Sequence, residues 1–382
     1  MSWIVAYSIL IFAIGIYALL LSISNVHVLS KQIPHKLTDN GPLISILIPA
    51  RNEESNLPAC IESLQKQAYR NIEILVLDDN STDRTWDVIQ THALEDPRVH
   101  GIKGQPLPSG WKGKLFAMQQ LLENAKGEYL LFTDADTVHA QQSVAFGYSV
   151  ATKNNAALVS GYPREICPSW GVGSIISAML FNTVLFVPLA LQRSYPKSIF
   201  AMAIGQYLFI KRSALEDIQG FTRFRNTITD DVHLARELVK QGHRQLLVDA
   251  SSAVSCTMYA TTKEAFGGIE RSIVGVVPMK LFPLIMLAVV VLLCCGLAPA
   301  AMTACIIAGA MGYVGFVVPA ILTTIGTVLL YGIWAVMALF HGYPVSVALT
   351  GCVTFFWICG MYIHGLFRTF TKKGFSWKGR TI

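Results

Sequence analysis

The sequence predicts an α/β domain with a mostly parallel sheet, joined to α-helical transmembrane segments. Only 14% of the 382 residues are charged, whereas soluble domains carry about 25%. Residues 3–24 and 281–367 contain no Asp, Glu, Lys or Arg. Between these stretches lies a polar block in which strand-like apolar runs alternate with helical patterns, as in parallel α/β sheets.

Residues 3–24 form the first apolar stretch. They are long enough to span a bilayer, which takes about 20 apolar residues. The stretch is long for the apolar region of a signal peptide, and it lacks a basic amino-terminal region and a small-residue cleavage site. We therefore predict an uncleaved transmembrane anchor over residues 1–24 rather than a signal peptide.

Residues 281–367 form the second apolar stretch. Pro299, Pro319 and the turn at residues 341–344 divide it, which predicts about four transmembrane helices. Two long helices plus one are the alternative.

Positive charges flank both apolar stretches. Lys31 and Lys36 follow the first one, and residues 368–382 form a basic tail without acids. Because such flanks favour the cytoplasmic side, we predict a multi-pass protein of the cell (inner) membrane with a cytoplasmic tail and an even number of carboxy-terminal spans. The domain at residues 40–280 is then cytoplasmic. The net charge of +6 suits an anionic leaflet, and no nucleic-acid partner is expected.

The polar block contains the strands and helices of the predicted domain. Apolar runs predict strands at residues 43–49, 72–77, 99–103, 129–132 and 206–210. Helical spacing predicts helices from about Ser55, at Thr85–Thr91, at Lys114–Asn124 and from Thr229 to Lys240. Thr229 is the predicted N-cap of the last helix.

Polar clusters follow the strands at the point where each strand ends. They are Arg51–Glu54, Asp78–Asp83 and Asp134–Asp136. Since ligands of parallel α/β sheets bind outside the carboxyl ends of the strands, near the point where strand order reverses, all three should line one crevice. Asp230 and Asp231 lie in the first turn of a helix, where the helix dipole favours negative charge.

Residues 170–191 are long and apolar enough to span a membrane. A span there would place Asp134 and Asp230 on opposite sides of the bilayer. We therefore predict that this segment lies in the interface or under the domain, as part of an interfacial apolar segment at residues 170–210.

Each acidic cluster also has an ordinary interpretation. Asp134 and Asp136 alone would be typical of a surface turn, and Asp230 and Asp231 alone would be typical of helix capping. Their joint placement favours a functional site. His139 stays open between a metal or phosphate contact and a loop histidine with no role.

Six segments resemble the family 2 glycosyltransferases in order and spacing, over about residues 43–280. They are IPARNEE, VLDDNSTD, WKGKLFAMQQ, FTDADTVHA, IKRSALEDIQGF and TDDVHLARELVKQG. The most similar members are membrane-bound bacterial enzymes that act on lipids, of the hopene-associated and carotenoid (4,4'-diaponeurosporenoate) types. The resemblance implies a GT-A fold and transfer of a sugar from a nucleotide-sugar, usually a UDP-sugar, with inversion.

The resemblance also implies roles for individual residues. Asp231 matches the general base, beside Asp230. Asp136 matches the metal ligand of the DxD motif, and Asp134 contacts the metal or the ribose. The residues implied in nucleotide-sugar binding are Pro49, Ala50, Arg51, Asn52, Glu53, Asp79, Lys114, Asp134 and Arg271.

A divalent metal, Mg²⁺ or Mn²⁺, is the cofactor that these roles imply. Such a metal neutralises the charge that develops on the leaving diphosphate. It prefers a few hard carboxylate oxygens together with phosphate and water.

One departure from the family concerns the QxxRW motif of chain-building synthases. The corresponding region is Gly267–Ser272, where only Arg271 matches. The sequence therefore predicts transfer of a single sugar, such as glucose, to a lipid-like acceptor such as a carotenoid, hopanoid or glycerolipid. The alternatives are a polyprenyl-phosphate glycosyltransferase and a non-catalytic membrane protein or transporter with a degenerate sugar-nucleotide domain.

Overall fold

The computed structural model describes residues 2–31, 33–186, 188–194, 197–227, 229–276, 285–286, 289, 291–370, 376–377 and 380–381. The chain divides into two compact units. The helical unit comprises Met1–Val26, Cys167–Pro188 and Tyr259–Phe375. The sheet unit comprises His27–Ile166, Leu189–Met258 and Ser376–Ile382.

The strands lie in the sheet unit. In chain order they are β1 (Ile44–Ala50), β2 (Ile72–Asp78), β3 (Val99–Lys103), β4 (Tyr129–Phe132), β5 (Thr137–His139), β6 (Leu158–Tyr162), β7 (Arg164–Glu165), β8 (Leu208–Lys211), β9 (Gln245–Asp249), β10 (Val254–Cys256), β11 (Ser376–Trp377) and β12 (Arg380–Thr381).

The helices occur in both units. In chain order they are α1 (Ser2–Lys31), α2 (Leu57–Gln65), α3 (Thr85–Glu95), α4 (Gly113–Asn124), α5 (Ser143–Asn154), α6 (Trp170–Phe186), α7 (Leu189–Ser194), α8 (Arg212–Asp217), α9 (Asp230–Lys240), α10 (Thr262–Val276), α11 (Ala298–Ala310), α12 (Val317–Phe340), α13 (Val345–Leu349) and α14 (Gly351–Phe370).

Seven of the described strands form the main sheet, in the order β3-β2-β1-β4-β8-β6-β9. Neighbouring strands are parallel except where β8 pairs with β4 and β6. Strand order reverses between β1 and β4, which is where ligands of such sheets bind. A smaller sheet has the order β5-β10-β7. The mostly parallel sheet predicted from the sequence is confirmed.

Both faces of the main sheet are buried. On β1, Ile44, Ile46 and Ile48 belong to one apolar cluster, and Leu47 belongs to a second cluster on the other face. Strands covered on both faces are apolar without interruption, which explains why such runs predicted them correctly. The helix expected from about Ser55 begins at Leu57, with Pro58 in its first turn. A proline is tolerated there, because the backbone N–H groups of the first turn have no partner within the helix.

Two segments among the described residues are long and apolar enough to cross a membrane by length and composition, Ser2–Leu29 and Val314–Phe340. Shorter apolar helices occur at Trp170–Met179, Ala298–Ala310 and Gly351–Gly365. These features are weak evidence for spanning, so the four carboxy-terminal spans and the topology stay predictions. Residues 281–284, 287–288 and 290 of the first predicted span, at about 281–298, lie outside the described residues, as do Lys372, Lys373 and Lys378 of the tail.

Within the helical unit, α6 packs against α14 through small polar side chains. The Thr354 hydroxyl donates to the carbonyl oxygen of Ser174 over 2.9 Å, and the Trp357 indole N–H lies 3.2 Å from the Ser174 hydroxyl. Close contacts of this kind are common between apolar helices. Residues 170–186 thus belong to the helical unit, and the interfacial position of residues 170–210 stays a prediction.

Candidate active site

The three polar clusters predicted from the sequence follow neighbouring strands of the main sheet. Ala50, at the end of β1, pairs with Asp78 at the end of β2. Leu47 of β1 pairs with Phe132, the last residue of β4. Because these strands are parallel, the loops that follow them emerge at the same edge of the sheet. The three clusters therefore share one edge of the sheet, and their lining of one crevice stays a prediction.

Hydrogen bonds join the loop after β1 to the loop after β2. The backbone N–H of Asn52 donates to the Ser81 hydroxyl over 3.0 Å, and that of Glu53 donates to the Thr85 hydroxyl over 2.8 Å. The N–H of Glu54 donates to a carboxylate oxygen of Asp83 over 3.1 Å. The two loops therefore act as one surface.

The bends in these loops depend on asparagine. Asn52 has a φ of 53° and Asn80 a φ of 55°, a left-handed conformation that asparagine tolerates better than most residues. One guanidinium nitrogen of Arg51 donates to the carbonyl oxygens of Asp79, over 2.5 Å, and Asn80, over 3.1 Å. Arg51 thereby stabilises the bend next to Asp79.

Asp79 lies just beyond β2 and is 4% exposed. Its backbone N–H donates to the carbonyl oxygen of Ala50 over 2.8 Å, which extends the pairing of the two strands. Pro49 and Ala50 are the last two residues of β1. Thus Pro49–Glu53 and Asp79 adjoin one another, as the prediction of a shared nucleotide-sugar site requires, although their roles stay predictions.

A second group of charged side chains surrounds Lys114, near the start of α4. Its ammonium lies 2.7 Å from Oδ1 of Asp134 and 3.4 Å from Oδ2 of Asp230. Burial alone lowers the pKa of Lys114, but the negative charges of Asp134, Asp230 and Asp231 outweigh burial and raise it. Lys114 is therefore a fixed positive charge between the loop after β4 and the first turn of α9.

Two backbone N–H groups orient the carboxylate of Asp231. Gly205 donates to Oδ2 over 3.0 Å, and Val232 donates to Oδ1 over 2.7 Å. Burial, and next the negative charge of Asp230, raise the pKa of Asp231 to about 7, while the charge of Lys114 opposes this rise. A carboxylate with a pKa near neutrality is suited to accept and release a proton.

The prediction that Thr229 is the N-cap of α9 is confirmed. Thr229 occupies the N-cap position, with the two aspartates in the first turn as expected, but its side chain makes no capping hydrogen bond. Its hydroxyl lies 3.1 Å from Nδ1 of His233 instead.

Asp136 lies immediately before β5, beside the smaller sheet. In that sheet Thr137 and Glu165 both pair with Cys256. Burial, followed by the negative charge of Asp136, raises the pKa of Glu165 to about 8. Glu165 was not predicted from the sequence, although it follows β6 closely, just as the other polar clusters follow their strands.

His139 is buried in β5 rather than exposed in a loop. Its Nε2 lies 3.0 Å from the Thr133 hydroxyl, and its Nδ1 lies 2.8 Å from the Ser143 hydroxyl. Burial lowers its pKa to about 3, so the ring is neutral. Since hydroxyl groups engage both ring nitrogens, the geometry argues against a metal or phosphate contact.

Arg271 is the one predicted site residue outside the sheet unit. It lies on α10 of the helical unit, next to Glu270, which is 1% exposed. Glu270 lies 2.6 Å from Nδ1 of His364 and 3.8 Å from Nη1 of Arg368. The role of Arg271 stays a prediction.

The acidic loop has the chemistry expected of a divalent-cation site. Asp134 already lies against one cation, the ammonium of Lys114, and Asp136 supplies a second carboxylate from the same loop. Within the part of the chain that the structure describes, no three acid, histidine or cysteine side chains converge as a complete metal site. Mg²⁺ usually takes only one or two protein carboxylates and completes its shell with water and phosphate, so these residues fit such a metal bound together with a diphosphate.

Comparison with known proteins identifies the domain. Residues 45–219 match the model of glycosyl transferase family 2. An Escherichia coli UDP-Glc:alpha-D-GlcNAc-diphosphoundecaprenol beta-1,3-glucosyltransferase is 42% identical over 94 residues, which cover 25% of this chain and 35% of that protein. A 4,4'-diaponeurosporenoate glycosyltransferase of Staphylococcus haemolyticus is 33% identical over 127 residues, which cover 32% of each protein.

A solved structure is similar over almost the whole chain. It is a mannosyltransferase from Pyrobaculum calidifontis, in complex with GDP-Man and Mn²⁺, with a TM-score of 0.58, 18% identity and coverage of 97% of this chain and 99% of that one. At this identity the similarity supports the GT-A fold alone. The match to the Escherichia coli relative spans about a third of that protein's length. Residues 45–219, just under half of the chain, thus form a glycosyl transferase family 2 domain.

Proposed function

We propose that this chain is a metal-dependent, inverting glycosyltransferase that moves a single hexose from a UDP-sugar to a hydrophobic acceptor such as a carotenoid, hopanoid or glycerolipid. The observation that carries the proposal is the position of the Lys114 ammonium, within salt-bridge distance of both Asp134 and Asp230. This contact brings the acidic loop after β4 to the first turn of α9. An inverting transfer needs the donor diphosphate and the base close together.

Asp231 is the proposed general base. The N–H groups of Gly205 and Val232 hold its carboxylate, which takes the proton of the acceptor hydroxyl as the anomeric carbon is attacked. A single base then directs attack from the face opposite the diphosphate, which inverts the configuration. Asp230 faces Lys114 and is assigned the supporting role.

The nucleotide-sugar donor is assigned to the loops at the same edge of the main sheet. Pro49–Glu53 and Asp79 would hold the nucleoside. Asp136, together with Asp134, would hold Mg²⁺ or Mn²⁺, which neutralises charge on the leaving diphosphate. The Mn²⁺ in the solved mannosyltransferase supports this assignment.

The acceptor class follows from the relatives and the apolar segments. One relative is named for a diphosphoundecaprenol substrate and another for diaponeurosporenoate, both of which are lipids. Two segments of this chain are long and apolar enough to cross a membrane. A multi-pass location in the cell membrane, with the sheet unit in the cytoplasm, agrees with both. The first relative also favours a second candidate, transfer to a polyprenyl-phosphate carrier.

The function is tested with membranes that contain the full chain. They are incubated with labelled UDP-sugars and a lipid extract, and the lipids are analysed by mass spectrometry. We expect one lipid species to gain the mass of a single hexose. A product that retains a phosphate would favour the polyprenyl carrier. If no donor gives a sugar-bearing lipid, and the wild type matches Asp231→Asn, the chain is not this enzyme.

Lys114→Met is expected to change the pH dependence of transfer. Asp231 must be ionised to act as a base, so activity is present above its pKa of about 7 and is lost as pH falls through that value. The positive charge of Lys114 lowers the Asp231 pKa, so its removal should raise that pKa. We expect the acidic limb of the kcat/KM profile to move upward by roughly 1–3 pH units.

Lys114→Arg is the matched control, because it retains the charge. Its profile should stay close to that of the wild type. If the acidic limb of the kcat/KM profile of Lys114→Met does not move, the assignment of Asp231 as the general base is contradicted.

A further inference from the structure

A polar network lies buried beneath the acidic loop that follows β4. Its members are Thr133, Thr137, His139 and Ser143, each at most 5% exposed. Buried polar groups are nearly always hydrogen-bonded, because an unsatisfied one costs the full desolvation of that group. The way in which these four groups satisfy one another therefore determines the conformation of the loop above them.

The imidazole of His139 lies between the two threonines that flank Asp134–Asp136. Its Nε2 is 3.0 Å from the Thr133 hydroxyl and 3.1 Å from the Thr137 hydroxyl. On the other side of the ring, Nδ1 is 2.8 Å from the Ser143 hydroxyl. The backbone N–H of His139 donates to the Ser63 hydroxyl over 3.0 Å, which fixes the strand that carries the ring.

Counting the available protons assigns the tautomer of this ring. Thr133 donates its hydroxyl proton to the carbonyl oxygen of Gln206 over 2.8 Å, and Thr137 donates its own to that of Asp134 over 2.7 Å. Each hydroxyl has only one proton. With both threonine protons used in this way, Nε2 carries the hydrogen shared with the two threonine oxygens, and Nδ1 accepts the proton of Ser143.

The same network reaches both halves of the active site. Thr137 holds the carbonyl of Asp134, inside the acidic loop. Thr133 holds the carbonyl of Gln206, whose neighbour Gly205 donates its N–H to the Asp231 carboxylate over 3.0 Å. The Nε2–H of His139 thus contacts both threonine hydroxyls. Thr137 supports the acidic loop, and Thr133 supports the segment that binds Asp231.

We propose that His139 is a positioning residue, whose Nε2–H fixes the distance between the carboxylates of the acidic loop and the carboxylate of Asp231. The proposal rests on the proposed function, since it assumes that the acidic loop binds a metal. Loss of the donor removes the hydrogen that both threonine hydroxyls, 2.9 Å apart, accept. The threonines then separate and the loop loses its fixed shape.

The expected consequence is weaker metal binding and slower transfer in a folded protein. Removal of groups that orient metal ligands typically costs about 10–100-fold in metal affinity. The variants are His139→Leu, which removes the donor, and His139→Gln, which keeps an N–H donor at the far end of the side chain. Ser45→Ala is the stability control, because it removes another buried hydroxyl, 2.5 Å from Glu73, in the first half of β1.

Titration calorimetry of Mn²⁺ into the detergent-solubilised full chain with UDP gives a readout independent of activity. We expect His139→Leu to weaken Mn²⁺ binding about 10–100-fold, with His139→Gln and Ser45→Ala near the wild type. Unchanged Mn²⁺ binding in His139→Leu would overturn the proposal, as would equal losses in His139→Leu and His139→Gln. If the wild type with UDP binds no Mn²⁺, the proposed function itself fails.

A second pair of variants serves if His139→Leu does not fold. Thr133→Val removes one hydroxyl with little change in shape, and Thr133→Ser retains it. Thr133→Val should weaken Mn²⁺ binding and lower kcat more than it raises KM for the acceptor, whereas Thr133→Ser should not. Equal behaviour of the two variants would contradict the network.

Discussion

Asp231→Asn is expected to lower the rate of sugar transfer by roughly 10²–10⁴-fold, the usual contribution of a general base. An amide cannot accept the acceptor's proton at any pH used in an assay. Binding of UDP and Mn²⁺ should be retained, because Asp136 and the loops after β1 and β2 are unchanged. The measurement is the initial rate of transfer at saturating donor, with nucleotide binding measured separately.

Two further variants separate catalysis from the effect of charge. Asp230→Asn removes the neighbouring carboxylate, which faces Lys114, and we expect a smaller loss of rate. Asp87→Asn is the matched control, because Asp87 lies in the first turn of α3, as Asp231 does in α9, but outside the site. Wild-type rates in Asp231→Asn, with a large loss in Asp230→Asn, would transfer the role of base to Asp230.

Asp136→Ala is expected to abolish Mn²⁺ binding in the presence of UDP. A bound metal contributes several kcal/mol of charge stabilisation in reactions of this kind, so we expect the rate to fall roughly 10²-fold or more. The wild type should lose the same activity in EDTA and regain it with Mn²⁺ or Mg²⁺. Calorimetry and activity measured on the same preparations check both results.

The control for this variant is another acidic residue at the end of a strand. Asp249 ends β9 of the same sheet, and its carboxylate accepts the N–H of Ser251 over 2.9 Å. Asp249→Asn should leave Mn²⁺ binding unchanged. Asp134→Asn should have a smaller effect than Asp136→Ala, because Lys114 already pairs with Asp134. Activity that is indifferent to EDTA would remove the metal-binding role from Asp136.

Local sequence patterns were sufficient for much of the fold. Strands buried on both faces have uninterrupted apolar runs, so β1, β2 and β4 were predicted closely. The polar residues after them could be assigned to one edge, because parallel strands all end on the same side of the sheet. The antiparallel direction of β8 and the presence of β7 and β10 were not predicted, since pairing with distant segments decides them.

Side-chain partners were predicted less well than strand ends. Thr229 has the residue type and position of an N-cap, but contact with His233 replaced the capping bond. His139 looked like a loop residue, because the sequence does not reveal that three hydroxyls from separate positions surround it. Glu165 follows β6, a strand that the apolar pattern did not predict.

The sequence by itself determined which strands end in acidic loops, and it placed Asp79, Asp134 and Asp136 at one edge of a parallel sheet. Only the tertiary structure decided that Lys114 joins Asp134 to Asp230 and that the N–H of Gly205 holds Asp231. Strand ends follow from local apolar patterns. The meeting of these side chains depends on strand order and helix packing, which long-range contacts establish.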